Sequence, residues 1–311
     1  MLSTYCEARQ EHYLLNLLRP LPENCLPASY IDLSGGPAGL IRINNNIGES
    51  AVISLYGAQV LSWQSADGQE HLYCSPMLPT QPGPAIRGGV PVCFPQFSER
   101  GPLPKHGLAR TCVWQLEPSP ADDATSPASV RLWLSDNDAT RALWPHPFLL
   151  QLEIELGAGS LSMALNVTNT GTSHFNFSAA LHTYLATADV RLVRIAGLQD
   201  IRYIDTAKQQ NPATQSEVLL RISEETDRIY LSPPATLRLQ QDGQPPLQVT
   251  QQGFTDSVVW NPGPLKAEQL GDMPGADWPR MLCIEAAQIA DPVHLAPQAT
   301  WRGVQQLSLL S

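Results

Sequence analysis

The sequence predicts an all-β fold, a sandwich or barrel built from about a dozen short strands. Three observations predict it. Apolar and polar residues alternate with a period of two in one segment after another, proline and glycine break those segments at short intervals, and beyond the N-terminus no stretch of about twelve residues carries a helical apolar stripe.

The chain opens with MLSTYCEARQEHYLLNLLRPLP, in which charged residues interrupt the apolar ones and no small-residue cleavage site follows. It reads as a short N-terminal helix lying against the body rather than a signal peptide. Residues 1–37 are expected to form an N-terminal extension packed on the body, and 38–311 a single β-sandwich domain, because all-β folds often exceed about 200 residues as one unit. Residues 50–64 are rich in β-branched and aromatic residues around a glycine, and Asp67-Gly68 after them is a hairpin-turn signature. Residues 148–171 give the clearest hairpin: Leu150, Leu152, Ile154 and Leu156 alternate with polar partners, GAGS turns, and Leu161, Met163, Leu165 and Val167 alternate again. Further strands are expected over 130–135, 177–187, 190–195, 217–222, 235–241, 246–251, 257–260, 281–287 and 301–309. Proline clusters at 76–84, 118–127 and 261–279 read as structured loops of the kind that wall a cleft.

Composition excludes several classes of function. A net charge of −10 with scattered basic residues gives no footprint for nucleic acid. No apolar run approaches the roughly 18 residues of a membrane span. The six cysteines, Cys6, Cys25, Cys74, Cys93, Cys112 and Cys283, form no Cys-x-x-Cys pair and have no histidine at zinc-ligand spacing, so no metal site is indicated. Free thiols in a reducing, cytoplasmic setting are the expectation. No Gly-x-x-x-x-Gly-Lys-[Ser/Thr] loop is present for a nucleotide.

A few residues carry candidate chemistry. In FSAALHTYLATADV, alternation puts Phe177, Ala179, Leu181, Thr183 and Leu185 on one face and Ser178, Ala180, His182, Tyr184 and Ala186 on the other, so His182 takes the less apolar face. It is either a hydrogen-bonded structural histidine or a proton-transfer group. Glu285, between Ile284 and Ala286, is either a desolvated base with a raised pKa or an outward-facing strand residue. Arg87 and Arg110 lie in a Gly/Pro-rich stretch where two guanidinium forks can converge on one anion or pair separately with surface carboxylates. Asp227 beside Arg228 reads as a turn or surface ion pair on spacing alone, and Trp260 as either a core residue or a sugar-stacking surface. Spacing singles out none of His12, His71, His106, His146, His174 and His294.

Seven stretches, GAQVLSW (57–63), AIRGGVPVCFPQF (85–97), GPLPKHGLAR (101–110), LHTYL (181–185), ETDRIY (225–230), DSVVWNP (256–262) and CIEAA (283–287), occur in this order. Together they resemble the hexose-6-phosphate mutarotases, the glucose-6-phosphate 1-epimerases of the galactose mutarotase-like (aldose 1-epimerase) superfamily, from about residue 38 to the end. The resemblance implies a β-supersandwich of two large antiparallel sheets and reversible interconversion of sugar anomers. It implies His182 as the acid that protonates the ring oxygen and Glu285 as the base at the anomeric hydroxyl. Arg87 and Arg110 are implied to bind the phosphorylated sugar, and Asp227 to hold a sugar hydroxyl or orient the site. His106, in the same PLPKHG segment, is counted with the substrate-binding residues. Lys105 stands where the family pattern has glutamine, an extra cation that would either strengthen phosphate contact or shift substrate preference.

Opening a pyranose needs one proton added at the ring oxygen and one removed from the C1 hydroxyl, so the expected chemistry needs no metal, nucleotide or other cofactor. The partner is a small-molecule hexose 6-phosphate, and the protein is expected to be a monomer. Other readings are a mutarotase of unphosphorylated aldoses, a noncatalytic sugar-phosphate-binding module, and a glycoside hydrolase, for which only one of the two flanking carboxylates can be named.

Overall fold

The structure, a computed structural model, describes residues 28–31, 39–77, 79, 83–117, 128–208 and 212–310. The expected N-terminal helix lies outside the described residues. Within the expected extension, β1 (Ala28–Ile31) pairs antiparallel with β2 (Leu40–Asn44), so part of it joins a sheet. With β3 (Ser50–Ser54) and β4 (Gln59–Gln64) these make a four-stranded meander.

The remaining strands build two larger sheets. In chain order they are β5 (Val92–Cys93), β6 (Gln115–Leu116), β7 (Ala128–Ser135), β8 (Phe148–Gly157), β9 (Ser160–Asn169), β10 (Phe175–Leu181), β11 (Tyr184–Ala186), β12 (Arg194–Ala196), β13 (Arg202–Asp205), β14 (Pro212–Thr214), β15 (Leu219–Leu220), β16 (Thr226–Leu231), β17 (Thr236–Gln240), β18 (Leu247–Gln252), β19 (Asp256–Asn261), β20 (Met281–Leu295) and β21 (Thr300–Leu309). One sheet runs β15-β12-β17-β18-β21-β9-β8-β7-β6. The other runs β14-β13-β16-β19-β20-β10-β5, with β11 also paired to β20.

Alternation decides what each face does. The inward residues of β8 and β9 are the leucines, Ile154, Met163 and Val167 of the expected hairpin, which turns at Ala158-Gly159 in register Gly157↔Ser160. They share one core with Phe177, Ala179 and Leu181 of β10 and Leu282, Ile284 and Ala286 of β20, so the two large sheets face each other as a sandwich. The opposite face of the eight-stranded sheet carries a smaller cluster that includes Cys93, Ala180, Ile229, Val258 and Ala287.

Two local expectations are corrected, and one short element falls below what the apolar pattern can signal. Residues 190–192 form a 3-10 turn, capped by the Asp189 side chain, before β12 begins. Residues 138–143 form a short helix, α1 (Asp138–Leu143), closed by a capping box at Asn137; six residues are too few to leave a periodic stripe. Asp227 and Arg228, read as a turn or surface ion pair, lie in an interior strand, β16, whose Ile229 and Tyr230 are buried on opposite faces.

Candidate active site

Four neighbouring strands send alternate side chains to the face of the eight-stranded sheet that points away from the main core. Pairing places them in two rows. Asp227 lies opposite Trp260, Trp260 opposite Cys283, and Cys283 opposite Tyr184. In the adjacent row Ile229 lies opposite Val258 and Val258 opposite Glu285. The β10 ladder pairs Leu181 with Ala286, and β11 resumes with Tyr184 against Cys283, so His182 falls opposite Glu285. His182 Nε2 and Glu285 Oε1 are 3.4 Å apart.

The strand breaks at His182, where its amide donates to Pro91 O at 3.0 Å. On the core side of the break, Thr183 O accepts from the Ile284 amide. Gln305, 0% exposed on β21 of the opposing sheet, accepts from the Thr183 hydroxyl at 2.5 Å and donates to Ile284 O at 3.0 Å. A side chain from the other layer therefore ties together the two residues adjacent to His182 and Glu285. On the cleft side Tyr184 stacks on His182, ring centroids 4.8 Å apart and nearly parallel, and Trp260 meets both rings edge-on.

Asp227, Trp260, Ile229, Val258, Glu285 and His182 of these rows floor a cleft of about 420 Å³, within the usual size range of small-molecule sites, about 300–1,000 Å³. His182, Glu285, Asp227, Trp260, His106 and Lys105 all line it, as do Arg100 and Lys266.

The aldose 1-epimerase family model matches residues 39–308. The chain belongs to the aldose 1-epimerase family. It is 35% identical to a proposed glucose-6-phosphate 1-epimerase of Cenchrus ciliaris over 91% of this chain and 89% of that one. It is 33% identical to a protein of the same description from Escherichia coli, over 79% and 85%. The crystal structure of a proposed mutarotase from Salmonella typhimurium superposes with a TM-score of 0.85 at 27% identity, covering 96% of this chain and 99% of that one.

In this epimerase burial governs the charge of His182 and Glu285. His182 is 7% exposed and Glu285 1%. Desolvation, reinforced by the positive fields of Arg110 and Arg87, lowers the His182 pKa to about 3. Desolvation, with Asp227 nearby, raises that of Glu285 well above the ordinary carboxylate value. Each shift favours the uncharged form of its own group, imidazole at His182 and carboxyl at Glu285. Asp227 is also raised by burial. His182 Nδ1 and Glu285 Oε2 are buried with no hydrogen-bond partner among the described residues, an unusual state for buried polar atoms.

His106 occupies a left-handed backbone position, φ 64°, in the loop that covers the cleft. Its ring meets that of His182 edge-on at 5.2 Å. The Ser98 amide donates to His106 Nδ1 at 3.3 Å, and the Cys93 thiol lies 3.2 Å from the same nitrogen. With Nδ1 accepting, the proton sits on Nε2, a donor for a sugar oxygen. The next residue, Gly107, has φ 76° and passes so close to Phe94 that a Cβ would lie 2.2 Å from its carbonyl oxygen, so no larger residue fits.

The two-arginine clamp is not assembled at the cleft. Arg87 Nε lies 2.6 Å from Asp272 Oδ1, its Nη1 donates to the Tyr184 hydroxyl at 3.1 Å, and its guanidinium stands over Trp260 at 5.7 Å. Arg110 donates to Lys105 O at 2.7 Å. Neither side chain is among those lining the cleft. Asp227 and Arg228 are not an ion pair either, because adjacent strand residues point to opposite faces: Asp227 faces the cleft, and Arg228 turns to Asp205 and Tyr203. Sequence reasoning missed Arg100, Lys266 and Tyr184. Tyr184 shares the alternation that singled out His182 and was within reach of that signal; the two cations carry no spacing signal.

Proposed function

We propose that this epimerase interconverts the α and β anomers of glucose 6-phosphate, with His182 and Glu285 as the proton-transfer pair. The observation that carries this reading is the contact between the two groups at the floor of a cleft whose rim holds Arg100 and Lys105, cations without an ion-pair partner among the described residues. The homologues described as glucose-6-phosphate 1-epimerases support the choice of substrate.

Proton bookkeeping links the chemistry to the burial. Ring opening moves one proton from the C1 hydroxyl to Glu285 and one from His182 to the ring oxygen, so the pair passes from imidazolium–carboxylate to neutral imidazole–carboxylic acid. Rotation about C1–C2 presents the other carbonyl face, and the reversed transfers close the opposite anomer. The neutral form favoured by desolvation is the form the pair holds while the sugar is open, which lowers the energy of that intermediate relative to the ion-paired start. Asp227 and His106 Nε2 are placed to hold sugar hydroxyls, and Trp260 offers an aromatic wall.

Phosphate falls to Arg100 and Lys105, while Arg87 and Arg110 contribute field and hold the loops. Joint replacement, Arg100→Ala with Lys105→Gln, should raise KM for glucose 6-phosphate by roughly 10–100-fold, the worth of a lost charge-assisted contact, and leave KM for glucose unchanged. Equal effects on both sugars would contradict this placement of the phosphate. A reading as a carbohydrate-binding module does not account for a buried imidazole and carboxyl in contact, since binding alone needs no such pair.

A further inference from the structure

Three different donors meet on the cleft face of the sheet, and ring opening uses only two of them. Cys283 and Glu285 stand two apart on β20 and so project to the same side, while His182 faces Glu285 from the neighbouring strand. The donor atoms of His182, Cys283 and Glu285 lie within 4.8 Å of one another, and all three residues are buried. With Zn–N and Zn–O near 2.0–2.1 Å and Zn–S near 2.3 Å, the donors of a tetrahedral zinc site are about 3.3–3.6 Å apart. His182 Nε2 and Glu285 Oε1 already stand 3.4 Å apart. Glu285 Oε2, buried and without a hydrogen-bond partner among the described residues, is an acceptor left over beside them.

We propose that His182, Cys283 and Glu285 form a three-ligand site for a thiophilic divalent cation such as zinc(II), with its fourth position open to the cleft and its occupancy incompatible with sugar turnover. One nitrogen, one sulfur and one oxygen suit zinc or cobalt and do not suit magnesium or calcium, which take oxygen ligands at higher coordination number. Binding releases the thiol proton and the proton of the His182–Glu285 pair to solvent, and thiolate plus carboxylate balance the metal's two charges. The inhibitory half of the proposal rests on the function proposed above, because the metal takes the same imidazole nitrogen and carboxylate that move protons. The binding half does not.

Cobalt(II) titration of the full chain, without sugar, reads binding directly. The expected result is one equivalent of cobalt showing a thiolate-to-metal charge-transfer band and the intense visible bands of a four-coordinate ion. Both Cys283→Ala and Cys283→Ser should lose the charge-transfer band, and two variants are used because the side chain is fully buried. In parallel, zinc should slow wild-type anomer exchange, a chelator should restore it, and the Cys283 variants should need at least tenfold more zinc for the same effect. A folded wild-type protein without the band overturns the proposal. So does a band or zinc sensitivity that survives in the Cys283 variants, since the metal would then sit on another of the six cysteines. Cobalt binding as expected in a protein that exchanges no anomers would count against the proposed function alone.

Discussion

At the residue scale, the proposed mechanism depends on two side chains, His182 and Glu285, that strand alternation brings to one face and burial pushes toward their uncharged forms. His182→Ala and Glu285→Gln should each slow anomer exchange by about 10²–10⁴-fold, the usual contribution of a placed proton-transfer group, with circular dichroism and melting temperature near wild type. A loss shared with the fold would instead make the residue structural. The face taken by His182 was legible from its neighbours, because Phe177, Leu181 and Leu185 claim the core side of the strand. That Glu285 faces it was not legible, since strand pairing over about a hundred residues leaves no local trace. Which carboxylate Arg87 meets was not legible for the same reason: its partner, Asp272, is 185 residues away, and nothing near an arginine in sequence announces a partner in a distant loop.

At the element scale, the break between β10 and β11 is the device that frees His182 from a continuous ladder, and Gln305 closes the gap from behind. Gln305→Leu leaves the Ile284 carbonyl and the Thr183 hydroxyl short of a buried partner, which costs about 1–3 kcal/mol. The account predicts a lower unfolding midpoint in urea together with a fall in kcat that exceeds any rise in KM, because the neighbours of both residues proposed for proton transfer lose their tie. A stability loss with unchanged kcat would show that Gln305 only fills the core. The long hairpin and most outer strands were legible from period-two alternation. Strand β16 was not, because SEETDRIY begins with a polar, turn-like run, and only its pairing between β13 and β19 makes Asp227 a cleft residue.

At the scale of the whole molecule, stability should respond to pH through a carboxyl remote from the cleft. Glu70 accepts from the Ser62 hydroxyl and from the amides of Trp63, His71 and Leu72, and burial raises its pKa from 4.5 to about 7. A raised value means that the folded protein binds the proton more tightly than the unfolded chain. The contribution is thus fully present below pH 4.5 and is lost as pH rises through about 7. Its size is of the order of 3 kcal/mol, so the melting temperature of wild type relative to Glu70→Gln should decline across this window. A constant difference between the two would contradict the raised value.

The fold was legible because alternation acts locally, and the family was legible from the seven ordered stretches. Of the cations that line the cleft, Lys105 was named from its segment, whereas Arg100 and Lys266 were not, since neither carries a local spacing signal. The most direct test of the central claim is exchange NMR on glucose 6-phosphate at anomeric equilibrium, with wild type, His182→Ala and Glu285→Gln at equal concentration. The account predicts magnetisation transfer between the two anomeric protons with wild type alone, at a rate proportional to protein. Transfer at the wild-type rate in either variant, or no transfer with wild type above the buffer, would contradict it.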